Sequence, residues 1–530
     1  MTRIETLDTT LRDGTQSEGA SLSIEDKLRI IAKLDALGVT YIEAGYPASN
    51  AKDARVFEEA AKLNLANSRL VAFSMTCRKD CPAAEDEALI ASAACCASAI
   101  TIVGKASAEQ VERTLGASKE ENLRMIRDSV SFIISKGKEV LFDAEHFFDG
   151  YAQDRDYSIA VALEAAKAGA QVVVLCDTNG RAMPYDVYSA VKDAKRCLEE
   201  AGCDAVVGVH MHDDCGCAVA NTIEAIMGGA RHVQGSVNGY GERVGNANLL
   251  TIIGNIELRM GMEAIGRDRC KLMTSTANYV AEIFNRSIDP GMPFVGSSAF
   301  AHKGGLHVSA LSKFPSAYGA IDPEDVGNLS HIVVSELSGR SALLAKSGEF
   351  GIDLEGAGVD LGDLAGKIKD LECSGYSFEL ADATLELLFR EAIGEKVTFF
   401  RLESFRVITE KHEDGKVMTE ATIKIHVGDE RFIATGEGNG PVNALDMALR
   451  QAITRFYPQV ANILLTDFKV RVLDEASGTD AVTRVIIESS DGKSSWATVG
   501  VSANIIEASW NALVDSLAYG LIVKGMRNNG

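Results

Sequence analysis

The fold is decided by the stretch Val172-Val-Val-Leu-Cys176, an apolar run followed by a helical pattern at residues 185–201 and by a second apolar run, Val206-Val-Gly-Val209. Apolar runs that alternate with amphipathic segments predict parallel strands joined by helices. Eight such runs fall within the first ~260 residues, the usual length of a (β/α)8 barrel. They are residues 4–7, 41–44, 69–73, 99–103, 140–144, 172–176, 206–209 and 232–236. We therefore predict an eight-stranded α/β barrel, with a doubly wound open sheet as the alternative.

The remainder of the 530-residue chain has a different pattern. Because a single core stops growing at about 250–300 residues, further domains are expected. Strand patterns vanish in residues 266–392, where loop signals separate helical pieces. They return in residues 393–530 with a weak repeat, since Arg431-Phe-Ile-Ala-Thr-Gly436 and Ser495-Trp-Ala-Thr-Val-Gly500 each lead into a helical segment. We predict a catalytic barrel at 1–265, a helical connector at 266–392 and an α+β regulatory or dimerisation domain at 393–530.

The overall charge and the cysteines limit the class of protein. A net charge of −22 makes nucleic acid and anionic membranes poor partners. The sequence has no run of 18 apolar residues and no apolar leader pattern at its start. We therefore expect a cytoplasmic protein with reduced cysteines. A structural zinc site at Cys77-Arg-Lys-Asp-Cys81 is disfavoured because no second cysteine pair lies at a suitable distance.

Leu11-Arg12-Asp13-Gly14 directly follows the first strand, at the end of a barrel where catalytic groups gather. Asp13 offers a hard oxygen ligand for a metal, and Arg12 is a permanent cation with a planar fork of donors. A salt bridge within the loop is the alternative interpretation.

His210-Met-His212 ends the seventh strand. Residues two apart on a strand point to the same side, and paired imidazoles bind divalent metals. Two hydrogen-bonded core histidines are the alternative. Because strands one and seven lie close together in a ring of eight, we expect Asp13 to face the same ion.

Gly239-Tyr-Gly-Glu-Arg-Val-Gly-Asn246 follows the eighth strand. Gly239, Gly241 and Gly245 let the backbone approach a ligand closely, so they are candidates for cofactor binding. Asn246 could add a neutral oxygen to the metal site. The loop lacks the downstream acid of a dinucleotide fingerprint.

Further polar residues lie at the ends of strands two, five and six, namely Glu43, Glu145 in Phe142-Asp-Ala-Glu-His146, and Thr178. Each alone could be a helix cap or a loop hydrogen bond. Together they place polar groups at one end of many strands, which a purely structural barrel does not need.

Taken together, Leu11-Arg12-Asp13-Gly14, His210-Met-His212-Asp213-Asp214 and Gly241-Glu-Arg-Val-Gly-Asn246 resemble the motifs of a metal-dependent barrel family of acyl-CoA synthases and lyases. That family includes 2-isopropylmalate, homocitrate and citramalate synthases and 3-hydroxy-3-methylglutaryl-CoA lyase. The resemblance covers the whole chain, and the C-terminal repeats resemble a regulatory domain that the lyase lacks. Residues 144–151 and 302–307 are most similar to the citramalate synthase branch.

The resemblance implies a role for each candidate residue. The metal ligands would be Asp13, His210, His212 and Asn246. Arg12 would polarise the ketone, Glu145 would be the acid of the site, and Thr178 would hold the substrate carboxylate, with Asp143 also assigned to substrate binding.

Residues 298–307 resemble the connector segment that reaches the site from a partner subunit. This resemblance implies a homodimer in which His307 and Tyr318 contribute to catalysis. Many relatives carry an acid two residues after this histidine, but Ser309 stands there in this sequence. Either Glu145 or His307 could be the base.

The implied reaction joins acetyl-CoA to pyruvate at a divalent ion (Mn²⁺, Mg²⁺ or Zn²⁺) and hydrolyses the thioester, with isoleucine as the expected effector. An enzyme of the 2-isopropylmalate synthase type, with a larger 2-oxo acid and leucine as effector, is the first alternative. Carbon–carbon bond cleavage is a second alternative, which the regulatory domain disfavours. A metal or amino-acid sensor built on an inactive barrel is a third.

Overall fold

A computed structural model describes residues 2–302, 307, 310, 314, 317–329, 331–332, 340–473 and 481–527. The chain forms two compact units. The first comprises residues 1–300 and 321–329, and the second comprises residues 301–320 and 330–530. Each unit has hydrophobic clusters of its own.

The first unit is a closed barrel of eight parallel strands in chain order. The predicted (β/α)8 barrel is confirmed, and the open sheet is excluded because the first and last strands pair with each other. The strands are β1 (Glu5–Asp8), β2 (Tyr41–Gly45), β3 (Arg69–Met75), β4 (Ala99–Lys105), β5 (Glu139–Glu145), β6 (Val172–Asp177), β7 (Val206–Met211) and β8 (His232–Gly235). The helices are α1 (Ile24–Leu37), α2 (Ala51–Ala60), α3 (Glu87–Ala94), α4 (Ala108–Gln110), α5 (Lys119–Ser135), α6 (Phe147–Gln153), α7 (Arg155–Lys167), α8 (Pro184–Glu200), α9 (Ala218–Gly228), α10 (Leu249–Leu258) and α11 (Met273–Ile283).

Helix α1 illustrates how local sequence sets these elements. Ser23 accepts a hydrogen bond from the Asp26 N–H, and the Asp26 carboxylate accepts one from the Ser23 N–H, which completes a capping box. The helix ends at Gly38, whose φ of 94° lies in the left-handed region that favours glycine. Helical spacing buries Ile30 and Leu34 in the main core of this unit.

The barrel interior is filled by side chains. Leu7, Val71, Leu141 and Val174 are fully buried members of this layer. Because side chains alternate along a strand, inward positions recur every second residue toward the C-terminal ends. There the inward residues become polar, and β4 continues two residues beyond its predicted end, as far as Lys105. The barrel therefore carries a polar mouth at one end.

The junction between β1 and β8 closes the ring. Its register pairs Leu7 with Gln234. Just beyond the strands, the Thr9 N–H donates to the Gly235 carbonyl at 2.8 Å. The junction therefore continues into the loop that carries Asp13.

The second unit contains two copies of a motif in which three antiparallel strands precede a helix. The predicted C-terminal α+β repeat is confirmed. Its strands are β9 (Ala301–His302), β10 (His331–Ile332), β11 (Arg401–Lys411), β12 (Val417–Val427), β13 (Glu430–Gly438), β14 (Leu464–Val472), β15 (Thr483–Ser490) and β16 (Ser495–Ser502). Its helices are α12 (Arg340–Glu349), α13 (Leu361–Cys373), α14 (Asp382–Ala392), α15 (Pro441–Ile453) and α16 (Ile505–Arg527).

Helix α14 is attached to the second of these repeats. The Thr384 hydroxyl accepts a hydrogen bond from the Val499 N–H at 3.1 Å, and the same side chain lies 3.2 Å from Asp515 Oδ2. The two domain boundaries that the sequence suggests, near 265 and 392, remain predictions. None of the helices within the described ranges combines the length and apolarity needed to cross a bilayer.

Candidate metal and substrate site

Three potential metal ligands converge at the C-terminal mouth of the barrel. Asp13 lies in the loop after β1, His210 is on β7, and His212 follows that strand directly. Their ligand atoms all lie within 4.8 Å of one another, and all three residues are buried. Asp13 Oδ2 is 3.4 Å from His210 Nε2, which is 3.3 Å from His212 Nε2. One carboxylate and two imidazoles at this spacing suit a single divalent cation.

The electrostatics of this cluster favour ligand-competent forms of two of its members. Burial works to raise the pKa of Asp13, but Arg12 and His210 outweigh it and hold the pKa well below its usual range. Burial and the neighbouring His210 lower the pKa of His212 to about 3. Asp13 is therefore ionised and His212 neutral at neutral pH, the forms that bind metals.

Asn246 lies in the loop after β8, next to this cluster. Its backbone forms an isolated β-bridge with His212. Its Nδ2 donates to Asp13 Oδ2 at 2.9 Å. Its Oδ1 is buried and has no hydrogen-bond partner among the residues that the structure describes. Because the two ends of an amide are nearly equal in shape, a half-turn of this side chain exchanges the two atoms. A metal at the cluster would give the orphaned oxygen a partner, so the donor set fits a divalent ion.

The backbone geometry of the same loop explains why glycine occupies several of its positions. A Cβ at Gly241 would collide with Asn246 Oδ1, and one at Gly245 would collide with the Gly239 carbonyl. Gly245 also has a φ of +116°, a conformation that side chains rarely adopt. These glycines let the loop fold tightly over Asn246, and their contact with a cofactor stays a prediction.

Arg12 is held in a fixed orientation beside Asp13. Its Nε donates to Glu43 Oε2 at 2.7 Å, and its guanidinium lies over the ring of Phe73, 4.4 Å from the centroid. Its Nη1 is 3.4 Å from Asp13 Oδ2. Burial works to lower the pKa of Arg12, but Glu43 and Asp13 outweigh it and raise the pKa above its usual value. The structure therefore places a permanent cation directly beside the candidate metal ligands.

A hydrogen-bonded chain behind His210 fixes its ring. Gln234 Nε2 donates to Asp143 Oδ1 at 3.0 Å, so Gln234 Oε1 faces His210 Nδ1 at 2.8 Å. An amide oxygen only accepts, so a proton is on Nδ1, and Nε2 is the nitrogen that faces the cluster and would bind a metal in the neutral ring. Burial raises the pKa of Asp143 to about 7. Sequence reasoning missed Gln234, and it placed Asp143 at the substrate, a contact that remains a prediction.

We expect Gln234→Leu to weaken metal binding by about 10- to 100-fold, the usual effect of removing a partner that orients a ligating histidine. The physical reason is the loss of the acceptor that holds the His210 proton on Nδ1. Isothermal titration calorimetry with the metal ion measures the change in affinity. Gln153→Leu, at an exposed position on α6, is the matched control. Affinity within twofold of wild type in a folded Gln234→Leu protein would contradict this role.

Glu145 and Thr178 lie on the same rim, at the ends of β5 and β6. The Glu145 carboxylate forms an ion pair with Lys105 at the end of β4. Thr178 Oγ1 accepts a hydrogen bond from the His146 N–H at 2.8 Å, so its own proton is available for donation. His146 has a φ of 60°, which turns the chain sharply after Glu145. Sequence reasoning missed Lys105, because the predicted strand ended before it.

The two candidates from the connector belong to the second unit. The rings of His307 and Tyr318 stack with centroids 3.9 Å apart and an interplanar angle of 16°. Both side chains are exposed within their unit. Ser309 lies outside the described residues. The structure therefore brings this pair together, whereas Arg12, Asp13 and their neighbours belong to the first unit.

Comparison with known proteins covers almost the whole chain. Residues 3–279 match the HMGL-like family, residues 294–374 match the homocitrate synthase post-HMGL domain-like family, and residues 379–521 match the LeuA allosteric (dimerisation) domain. An (R)-citramalate synthase of Aquifex aeolicus is 46% identical over 97% of this chain and 97% of its own length. A probable 2-isopropylmalate synthase of Methanopyrus kandleri is 31% identical over 97% of both chains. The crystal structure of an HMG-CoA lyase from Brucella melitensis covers 54% of this chain and 100% of the lyase, with 21% identity and a TM-score of 0.45.

The full-length matches are the decisive ones, because they span both units and the candidate site. Further (R)-citramalate synthases, among them those of Streptomyces coelicolor and Geobacter sulfurreducens, match at 46% and 44% identity over 98% of the chain. The chain belongs to the citramalate synthase family, whose barrel is of the HMGL-like type.

Proposed function

We propose that this protein condenses acetyl-CoA with pyruvate and hydrolyses the thioester, giving (R)-citramalate and CoA. The observation that carries the proposal is the full-length similarity to (R)-citramalate synthases at 46% identity. The cluster of Asp13, His210 and His212 beside Arg12 supports it, because a 2-oxo acid needs a cationic site for its two oxygens. The reaction is an acyl transfer in which the acyl group becomes an alkyl group.

Each residue of the barrel mouth has a task in this reaction. Arg12 donates to the ketone oxygen and stabilises the negative charge that develops there. Thr178 donates its hydroxyl proton to the substrate carboxylate. A base removes a proton from the acetyl methyl group, and the position of Glu145 at the end of β5, on the rim of the mouth, supports its choice as that base. Asp13, His210, His212 and Asn246 would hold a divalent ion, which would supply Lewis acidity toward the keto acid.

The identity of the ion stays a proposal. Mixed nitrogen and oxygen donors are compatible with Mn²⁺, Mg²⁺ or Zn²⁺. Acetyl-CoA is the proposed co-substrate, with the loop of Gly239, Gly241 and Gly245 as a candidate contact. A cytoplasmic location is also proposed, and it is supported by the eleven cysteines, all of which are free thiols.

Release of free CoA thiol tests the proposal directly. Purified protein is supplied with acetyl-CoA, a divalent ion and either pyruvate or 2-oxoisovalerate, and the product is identified by mass spectrometry. We expect pyruvate to be preferred and citramalate to form. A tenfold preference for 2-oxoisovalerate would instead favour the 2-isopropylmalate reaction. Adding isoleucine or leucine to the same assay tests the proposed effector, for which isoleucine is the expected inhibitor.

The LeuA-type domain at residues 379–521 also supports a homodimer. We propose that His307 and Tyr318 of one subunit complete the site of the other, which subunit mixing can test. An inactive His307→Ala protein is mixed with an inactive Arg12→Ala protein under conditions of subunit exchange. About half of the dimers are then mixed and each has one intact site, so activity should return to about a quarter of wild type. Exchange proven by mass spectrometry without any return of activity would place the whole site within one chain.

A further inference from the structure

Lys105 is a charged residue at the mouth of the barrel, and the reaction proposed above gives it no role. It is the last residue of β4, and the register pairs it with Glu145, the last residue of β5. Both lie two positions beyond inward residues of their strands, so both side chains turn toward the mouth. The Lys105 carbonyl accepts a hydrogen bond from Asn122 Nδ2 at 2.9 Å, which anchors the end of the strand. Lys105 therefore occupies a fixed position and is not part of a mobile loop.

The Lys105 side chain forms an ion pair with Glu145. Its side chain is 16% exposed, and that of Glu145 is 25% exposed. Within the described part of the chain, this is the one ion pair that either residue makes. A pair so shielded from water interacts more strongly than a surface pair, whose value is often negligible. An ion pair that only stabilised the fold would not need to sit on the rim that also holds Arg12 and Thr178.

We propose that Lys105 is a positioning residue for the condensation, one that holds the Glu145 carboxylate aimed into the mouth of the barrel. The inference rests on the proposed function, with Glu145 as the base. In the step it serves, a C–H bond of the acetyl methyl group breaks and the proton moves to a Glu145 carboxylate oxygen. The electron pair of that bond forms the enolate of the thioester, whose carbon then attacks the pyruvate ketone.

Charge is conserved within the site during this transfer. Glu145 loses its negative charge as the thioester oxygen gains one, while Lys105 and Arg12 remain cationic. A fixed cation beside the base therefore holds the carboxylate in position before transfer and leaves a positive charge in the site afterwards. Preorganised charge of this kind acts without reorganisation at the moment of reaction.

The test compares Lys105→Met, Lys105→Gln and Lys105→Arg in the full-length protein with its metal. Two quantities are measured: turnover with pyruvate, and exchange of the acetyl-CoA methyl protons with D₂O in the presence of oxamate, a pyruvate analogue that cannot condense. We expect the Met and Gln variants to lose about 10²-fold in kcat and in exchange, the scale of one general acid–base contribution. KM for pyruvate should change less than about threefold, and Arg should restore most of the exchange because it keeps the charge. Lys119→Met, which removes a half-exposed ion pair with Asp154, is the matched control.

A second comparison asks whether Lys105 acts through Glu145. In a Glu145→Gln background, Lys105→Met should add little further loss, because its partner is already neutral. Independent, multiplicative losses would overturn the proposal, as would a large rise in KM for pyruvate with normal exchange. Equal activity of the wild-type and Met proteins would overturn it as well. If wild type instead works with another 2-oxo acid, the proposed function fails and the same comparison is made with that acid. Inactivity with every 2-oxo acid would overturn both.

Discussion

His210→Ala should abolish turnover and remove most of the bound metal. His210 contributes the central atom of the cluster, since its Nε2 lies 3.4 Å from Asp13 Oδ2 and 3.3 Å from His212 Nε2. Alanine removes that donor and leaves Gln234 facing a cavity. Lewis-acid stabilisation is worth several kcal/mol, so a loss of about 10³-fold or more in kcat/KM is expected.

Metal content by elemental analysis and CoA release measure this effect together. His412→Ala is the matched control, because His412 is an exposed histidine in the second unit and should leave both quantities unchanged. Full activity in a His210→Ala protein shown to contain no metal would remove the basis for a catalytic ion at this site.

Arg12→Lys should lower kcat by about 10²-fold, the scale of losing one preorganised donor at a developing oxyanion. The substitution keeps the positive charge, but it loses the planar fork. In the structure Arg12 donates through Nε to Glu43 while Nη1 faces Asp13 and the guanidinium lies over Phe73. A lysine ammonium cannot fill these three positions at once.

Steady-state kinetics with pyruvate measure the loss, and Arg29→Lys is the matched control. Arg29 pairs with Glu25 on the exposed face of α1, where the exchange should be neutral. A decrease of less than about threefold in kcat for Arg12→Lys would show that Arg12 serves the structure of the loop and not the reaction.

The barrel could be predicted because its signal is local and repeated. Each strand appears in the sequence as a short apolar run, and eight runs with helices between them leave few alternatives. The proximity of Asp13 to His210 could also be predicted, because the first and seventh strands lie close together in a ring of eight. Both inferences depend on order along the chain and on strand alternation, which the sequence contains.

The supporting residues could not be predicted in the same way. Gln234 and Phe73 act through neighbours on other strands, and which neighbour each meets depends on register and side-chain direction. Lys105 was missed because the apolar run of β4 ends at Val103, although the backbone pairing continues to Lys105. Nothing in the sequence near Gln234 distinguishes a partner of His210 from any buried polar residue.

The junction between β1 and β8 has a consequence for biosynthesis. Asp13 emerges from the ribosome long before His210, His212 and Asn246, so the ligand set exists only after the last strand has been made and has closed against the first. A growing chain that ends before β7 holds Asp13 without its imidazole partners and has no site for the ion. A ligand that binds only the closed barrel stabilises the closed barrel by mass action. An ion held at this site would therefore stabilise the finished ring against opening. The cell's divalent metal would then help to decide whether newly made chains stay closed, apart from any part it has in turnover.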